Sequence, residues 1–398
     1  MHGSLTLPAG PDRITPRWSA VYALSVGVFG LITAEFLPMS LLTPMAEDLQ
    51  ISEGLAGQGV TATAVVALFT GLLIATLTRG IDRRHVLLSF SVLLVVSNLL
   101  VATALNFPTL LAGRLLLGVA IGGFWTMSAA TAMRLVPGAD VPKALSLIFA
   151  GVSLATVVST PLGSWLGALV GWRAVFLWSA GFGAIGLLLQ WRTLPAMAAT
   201  GSASIGTIFR VLLRAGVWQG IVCVTLVFTG QFALFTFIRP FIETALGASV
   251  GWLTTFLLGF GVANFIGTLL AGPLLKRSVS FTLFAMPLIA GACALVLSGL
   301  HTASLLSLAL IALWGMAFGG VPVAWTTWNT RIAPDDAESA GGLIVAAIQF
   351  AIALGAASGG VIYDTTGANG VYAFGGVLLV LAGLLIAFGV RAPAATPA

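Results

Sequence analysis

The chain has 398 residues, of which 59% are hydrophobic and 7% charged, with 17 Lys and Arg against 12 Asp and Glu. A soluble globular domain carries roughly 25% charged residues, so this composition excludes a water-facing surface and points to a chain solvated by lipid. The formal net charge of +5 sits in short connections and reads as a topology signal, not as a surface for nucleic acid.

The first 17 residues are polar and lack the apolar stretch and cleavage site of a leader peptide, so the first span is expected to be retained. Apolar runs of the ~20 residues that a membrane helix needs then predict spans at 18–44, 55–77, 86–105, 108–133, 143–166, 172–191, 216–242, 251–275, 281–300, 303–330, 340–362 and 370–390. The widest polar gap lies at mid-chain, with six runs on either side. The expected organisation is therefore a tail (1–17), a first half (18–191), a linker (192–215), a second half (216–390) and a tail (391–398). Cys223 and Cys293 lie inside apolar runs and read as packing residues, not as a disulfide.

Lysine and arginine set the orientation. With the N-terminus cytoplasmic, 14 of the 17 basic residues fall on the cytoplasmic side: Arg13, Arg17, Arg79, Arg83, Arg84, Arg134, Lys143, Arg192, Arg210, Arg214, Lys276, Arg277, Arg331 and Arg391. Basic loops stay inside, so both termini are expected in the cytoplasm. An internal repeat supports two equivalent halves. Gly118, Gly122, Gly123, Arg134 and Pro137 match Gly315, Gly319, Gly320, Arg331 and Pro334 at a constant offset of 197. Gly163, Gly171 and Val175 match Gly359, Gly367 and Val371 at 196. Copies six spans apart run in the same sense, which describes parallel six-helix halves related by an axis along the membrane normal.

Charges inside spans are the informative residues, because a carboxylate at a helix centre costs ~2.5–3.5 kcal/mol to insert. Glu35 lies in the first span, ~26 Å along the helix from Trp18, and Arg114 lies ~9 Å into the fourth from its opposite end, at about 1.5 Å per residue. The two share a depth, as partners facing a cavity do. Arg239 ends the seventh span near that level, and Glu35 pairing with Arg114 or with Arg239 are both open. A carboxyl alternating between a wet cavity and an arginine can load and release a proton. The plainer reading of Glu35 and Arg114 is an ion pair fixing span one to span four.

Candidate substrate contacts are Trp125 on span four, Gln231 and Phe235 one turn apart on span seven, Arg239, Asn264 on span eight, Trp325 and Asn329 on span ten, and Gln349 on span eleven. Rings and amides suit a planar heterocycle. Trp328 reads instead as an interfacial anchor, and helix packing is the plainer reading of the other candidates. Asp82, Arg83 and Arg84 crowd the short loop between spans two and three, as an anchor or as a cytoplasmic gate. His2, His85 and His301 are scattered, and no metal-ligand spacing, CxxC or phosphate-cradling glycine loop is present, so neither an enzyme, a metal, a cofactor nor an ATP-driven pump is expected.

Those residues also carry a resemblance. The stretches "AEFLPMSLLTPMAEDLQISEGLAGQ", "GGFWTMSAATAMRLVP", "VPKALSLIFAGVS", "PLGSWLGALVGWRAVF", "GQFALFTFIRPF" and "LKRSV" resemble drug:proton antiporters of the major facilitator superfamily, and within them the exporters of purine ribonucleosides. "DRR" resembles the family's loop motif, with Thr78 in place of its leading Gly, and Arg114 with Gly118 resembles its span-four motif linked to proton coupling. Pro161 and Gly163 match its span-five motif in part, with Thr160 replacing a Gly. The resemblance implies an all-α, twelve-helix major facilitator fold and export of inosine- or guanosine-like nucleosides in exchange for protons, by a monomer in a bacterial inner membrane. Efflux of sugars or drugs, and uncoupled or inward transport, use the same frame.

Overall fold

A computed structural model describes residues 16–78, 80–137, 140–198, 212–213, 216–332 and 337–390. The predicted tails (1–15 and 391–398), most of the predicted linker (199–211 and 214–215), Arg13, Arg79, Arg210, Arg214, Arg391 and the side chain of Arg331 lie outside the described residues.

The helices are α1 (Trp18–Leu49), α2 (Glu53–Leu77), α3 (Arg83–Ala102), α4 (Phe107–Leu135), α5 (Val141–Val170), α6 (Trp172–Thr193), α7 (Val217–Thr236), α8 (Val250–Arg277), α9 (Val279–Ser298), α10 (Leu305–Gly319), α11 (Val321–Ile332) and α12 (Ala337–Gly389). Helices α10 and α11 together make one span. Eleven stretches among the described residues are long and apolar enough to cross a membrane. Helix α12 is the last of them and is two spans, divided at Gly367, whose φ of 75° lies outside helical geometry. That division gives the twelve spans expected.

Polar side chains at helix starts satisfy amides that lipid would leave bare. Asn106 accepts from Thr109 N at 3.0 Å, Ser278 accepts from Phe281 N at 3.2 Å, and Ser304 with Ser307 forms a capping box. The seventh span stops earlier than predicted: α7 ends at Thr236, and a short helical turn (Ile238–Pro240) leads into a π-helical turn, Phe241–Ala245.

The repeat in the sequence is also a repeat in contacts. Gly118 sits on Thr63 and Gly122 on Ala67, where α4 crosses α2. Their counterparts Gly315 and Gly319 sit on Phe260 and Asn264, where α10 crosses α8. Both partners are again offset by 197. A side chain at any of these glycines would collide with backbone, so the crossings hold only because the residues are small. Gly171 and Gly367, matched at offset 196, both take left-handed φ values, 82° and 75°.

Exposed Phe69, Leu154, Trp178, Leu269 and Phe388 stud the perimeter, the pattern of a bundle that faces lipid. The halves meet along two seams, α2 against the 337–366 part of α12 and α5 against α8. Hydrogen bonds joining them gather at the end where α1 stops: Ser52 Oγ and Gly54 N donate to Asp364 (3.0 and 3.2 Å), Tyr363 donates to Glu53, and Gln58 reaches Ala357 O.

Candidate functional site

The site begins with two prolines. Pro38 and Pro44 lie inside α1, and a proline has no N–H for the carbonyl four residues earlier. The carbonyls of Ala34 and Ser40 therefore lose their helical donors in a region where an unpaired carbonyl is costly. Each is taken by an arginine. Arg114 of α4 donates from Nη1 to Ala34 O at 2.8 Å. Arg239 donates from Nη1 to Ser40 O at 2.6 Å.

Arg114 is 1% exposed and Glu35 6%. The guanidinium also reaches the main-chain oxygens of Glu35 (3.5 Å) and Gly59 (3.4 Å). Arginine and glutamate are thus held at one level, but by the backbone of the Glu35 turn and not by a carboxylate–guanidinium pair. Among the described residues no hydrogen bond reaches the Glu35 carboxylate. The carboxyl is tethered beside a fixed positive charge with its own oxygens free to bind a proton.

Among the described residues no hydrogen bond or ion pair joins Arg239 to Glu35. Arg239 pairs with Glu243 one turn on, Nη2 to Oε1 at 2.8 Å, across the start of the π-helical turn. With two nitrogens engaged in this way, its guanidinium is occupied from both halves.

In the second half, Gln231 and Phe235 share a face of α7. Both are buried. Gln231 Oε1 accepts from Trp314 Nε1 at 2.7 Å. Phe235 stacks on Phe260, with ring centroids 5.0 Å apart, and meets Phe36 edge to face at 5.5 Å. Phe36 follows Glu35, so this contact brings the turn carrying the carboxylate against span seven. Trp314 in turn packs edge to face on Phe260 at 4.8 Å.

The other candidates are more dispersed. Asn264 donates to Gly315 O at 3.2 Å, inside the α8–α10 crossing, which is a packing use. Trp125 stacks on Phe149 at 5.5 Å between α4 and α5. Trp325 and Trp328 pack edge to face at 5.3 Å, and the Trp328 ring covers Gly220. Trp328 is fully buried, which corrects its reading as an interfacial anchor. Asn329 is buried in the same helix. The Nε1 atoms of both tryptophans and Nε2 of Gln349 are buried donors without partners among the described residues. Two apolar grooves, one lined by Thr255, Gly259 and Leu308, the other by Leu177 and Phe182, share no residue with these clusters.

In the loop cluster, Asp82 ties the start of α3 to the linker. Asp82 caps α3 by accepting from Arg84 N at 2.8 Å, and its carboxylate also accepts from Met197 N at 2.9 Å. Hydrogen bonds from Met197 and then Arg84 hold the Asp82 carboxyl below the usual aspartate range. Arg84 donates to Trp191 O at 2.7 Å and Arg83 to Thr78 Oγ1 at 2.7 Å.

Trp314, Phe36 and Phe260 complete the cluster but do not stand out in sequence, where each is one aromatic among many. The proline spacing did carry a readable signal for the two arginines. Among the described residues no group of His, Cys, Asp and Glu could hold a metal ion.

A family model described as Major Facilitator Superfamily matches residues 24–345. Purine ribonucleoside efflux pump NepI of Escherichia coli (strain K12) is 48% identical over 378 residues, covering 95% of this chain and 96% of that one. The NepI of Shigella sonnei (strain Ss046) matches to the same extent. Among solved structures, a D-xylose-proton symporter superposes with a TM-score of 0.76 at 19% identity over 94% of this chain and 98% of that one. A bacterial homolog of the human lysosomal transporter Spinster gives 0.73 at 15% identity over 96% of both chains.

Proposed function

Because the chain belongs to the Major Facilitator Superfamily and is a multi-pass membrane transporter, we propose that it exports purine ribonucleosides, such as inosine or guanosine, in exchange for protons. The observation that carries this reading is the 48% identity, along nearly the whole chain, to efflux pumps of that name. The site supports it with a carboxylate, Glu35, held in the membrane interior beside Arg114 and one residue from the aromatic contact between the halves. The distribution of basic residues supports cytoplasmic termini, and the likeness to bacterial efflux pumps supports an inner-membrane setting.

In this reading the two halves rock about the α2–α12 and α5–α8 seams and expose the space between them to either side in turn. Protonation removes the charge of Glu35 and allows the turn to move against span seven. Deprotonation restores the charge beside Arg114. Inward movement of one proton at ~100 mV supplies ~2.3 kcal/mol, enough for roughly 50-fold accumulation at ~1.4 kcal/mol per decade. Exchange of a neutral nucleoside for one proton moves net charge.

The test is purified protein in liposomes under an imposed pH gradient, with purine ribonucleosides screened against sugars and cationic drugs. Gradient-driven nucleoside movement that stops when the gradient is collapsed is the expected result. Movement of sugars or drugs alone, or nucleoside flux indifferent to the gradient, would overturn it.

A further inference from the structure

Gln231 is an amide whose direction is settled by its partner. The indole N–H of Trp314 can only donate, so the oxygen of Gln231 must face it, as the 2.7 Å contact has it. The Nε2 end then points away from Trp314 and can only donate, and among the described residues it has no partner. Packing keeps Trp314 from turning. It is fully buried, edge-on to Phe260, and meets Tyr372 edge to face at 6.0 Å. One turn along α7, the ring of Phe235 stacks on Phe260 and meets Phe36 at the junction of the halves.

We propose that Trp314 is a positioning residue that sets the specificity of transport: it locks Gln231 as a hydrogen-bond donor toward a carbonyl oxygen on the edge of a planar substrate lying against Phe235. The inference rests on the nucleoside-export reading and adds the group of the substrate that is read. A donor fixed by a buried partner discriminates more sharply than one that can flip, because a substrate without the acceptor leaves that donor unpaired.

The experiment compares kcat/KM for inosine with that for purine riboside, which lacks the 6-carbonyl, in proteoliposomes of the full chain. One neutral hydrogen bond predicts a preference of about 10-fold for inosine. Trp314→Phe keeps a ring against Phe260 and removes the N–H. The preference then falls toward 1 through a higher KM for inosine, with kcat little changed. Gln231→Ala gives the same loss, and the double variant loses no more than either single one. A preference unchanged in Trp314→Phe while inosine is still carried sinks this inference alone. An unmodified protein that carries no nucleoside sinks the export reading, and this inference with it.

A second, independent observation concerns Arg239. Its contact on Ser40 O joins the halves, and that carbonyl is vacant only because of Pro44. The geometry points to a clasp that closes the end of the bundle where α1 stops: Arg239 bridges to α1 when the halves meet there and keeps Glu243 as its partner when they part. Pro44→Ala restores an amide that competes for Ser40 O without deleting any side chain contact of Arg239 with Glu243. The readout is labelling of a cysteine at Gln58, which lies on the α2–α12 seam, by an impermeant maleimide, with both native cysteines replaced by Ala. Labelling several-fold faster in Pro44→Ala and in Arg239→Gln is expected. Equal rates in all three proteins would overturn the clasp.

Discussion

Arg114 and Arg239 perform the same local chemistry on one helix and differ in where they come from. Both cap a carbonyl of α1 that a proline has left without a donor. Arg114 belongs to the same half as α1, so its contact moves with the helix and can persist through a transport cycle. Arg239 belongs to the other half, so its contact exists only while the halves meet at that end. In the proposed cycle, a charge buried beside its own half's carboxylate would serve as a fixed counter-charge, whereas one reaching across the seam would respond to rocking. The halves also diverge at the matched positions: 197 residues on, Arg114 corresponds to Ile311 and Thr63 to Phe260. The carboxylate and its counter-charge belong to the first half, and the aromatic and amide cluster to the second.

The comparison can be broken most forcefully at Arg114. Arg114→Ala removes a buried, multiply bonded charge and leaves Ala34 O and Gly59 O without it; at about 1.5–3 kcal/mol for each hydrogen bond to a charged group, the expected loss is about 3 kcal/mol or more. Thermal unfolding in detergent reads this as a much lower Tm. The paired glycine crossings sharpen the symmetry side. Gly122→Ala and Gly319→Ala each force a methyl onto the backbone of a neighbouring helix. Each is expected to cost about 1–3 kcal/mol, and the two variants are expected to show similar falls in Tm. A loss confined to one half would show that the crossings are not equivalent.

A smaller effect is expected when Pro38→Ala gives Ala34 O a helical donor. Arg114 then shares its acceptor, a change worth about one hydrogen bond, ~1 kcal/mol. Flux measurements are expected to show weaker proton coupling with little change in fold. The smallest effect is at Asp82. Its carboxyl is held below the ordinary range, so its contribution is present above the unfolded aspartate pKa of about 3.9 and is lost as pH falls through the lower folded value. The Tm difference between Asp82→Ala and the unmodified protein is therefore expected to be small and constant from pH 7 to about 5, and to shrink in stronger acid.

The scaffold was largely legible because lipid enforces it. Apolar runs set the spans, and the offsets of 197 and 196 recur as matched glycine crossings and as the matched left-handed turns at Gly171 and Gly367. Glu35 and Arg114 stood out because charge is costly in lipid. Their level followed from helix rise, but the way they meet did not: spacing along a helix says nothing about whether a guanidinium takes a carboxylate or a freed carbonyl. The i, i+4 relation of Arg239 and Glu243 was visible in the sequence, and depth alone drew attention to Glu35 instead. Trp314 was hidden because its contact depends on a partner 83 residues away, and sequence alone does not say that the half-buried amide of Asn264 bonds a neighbouring helix's backbone at Gly315 O.

The most direct test of the central proposal is the carboxylate. Glu35→Gln keeps the shape and removes the proton site. In liposomes with an imposed proton-motive force near ~100 mV, the unmodified protein is expected to accumulate inosine up to roughly 50-fold. The variant is expected to equilibrate it at a ratio of about 1, while still exchanging labelled for unlabelled inosine. Accumulation by Glu35→Gln at the unmodified level would contradict the assignment of Glu35 as the group that couples protons to transport.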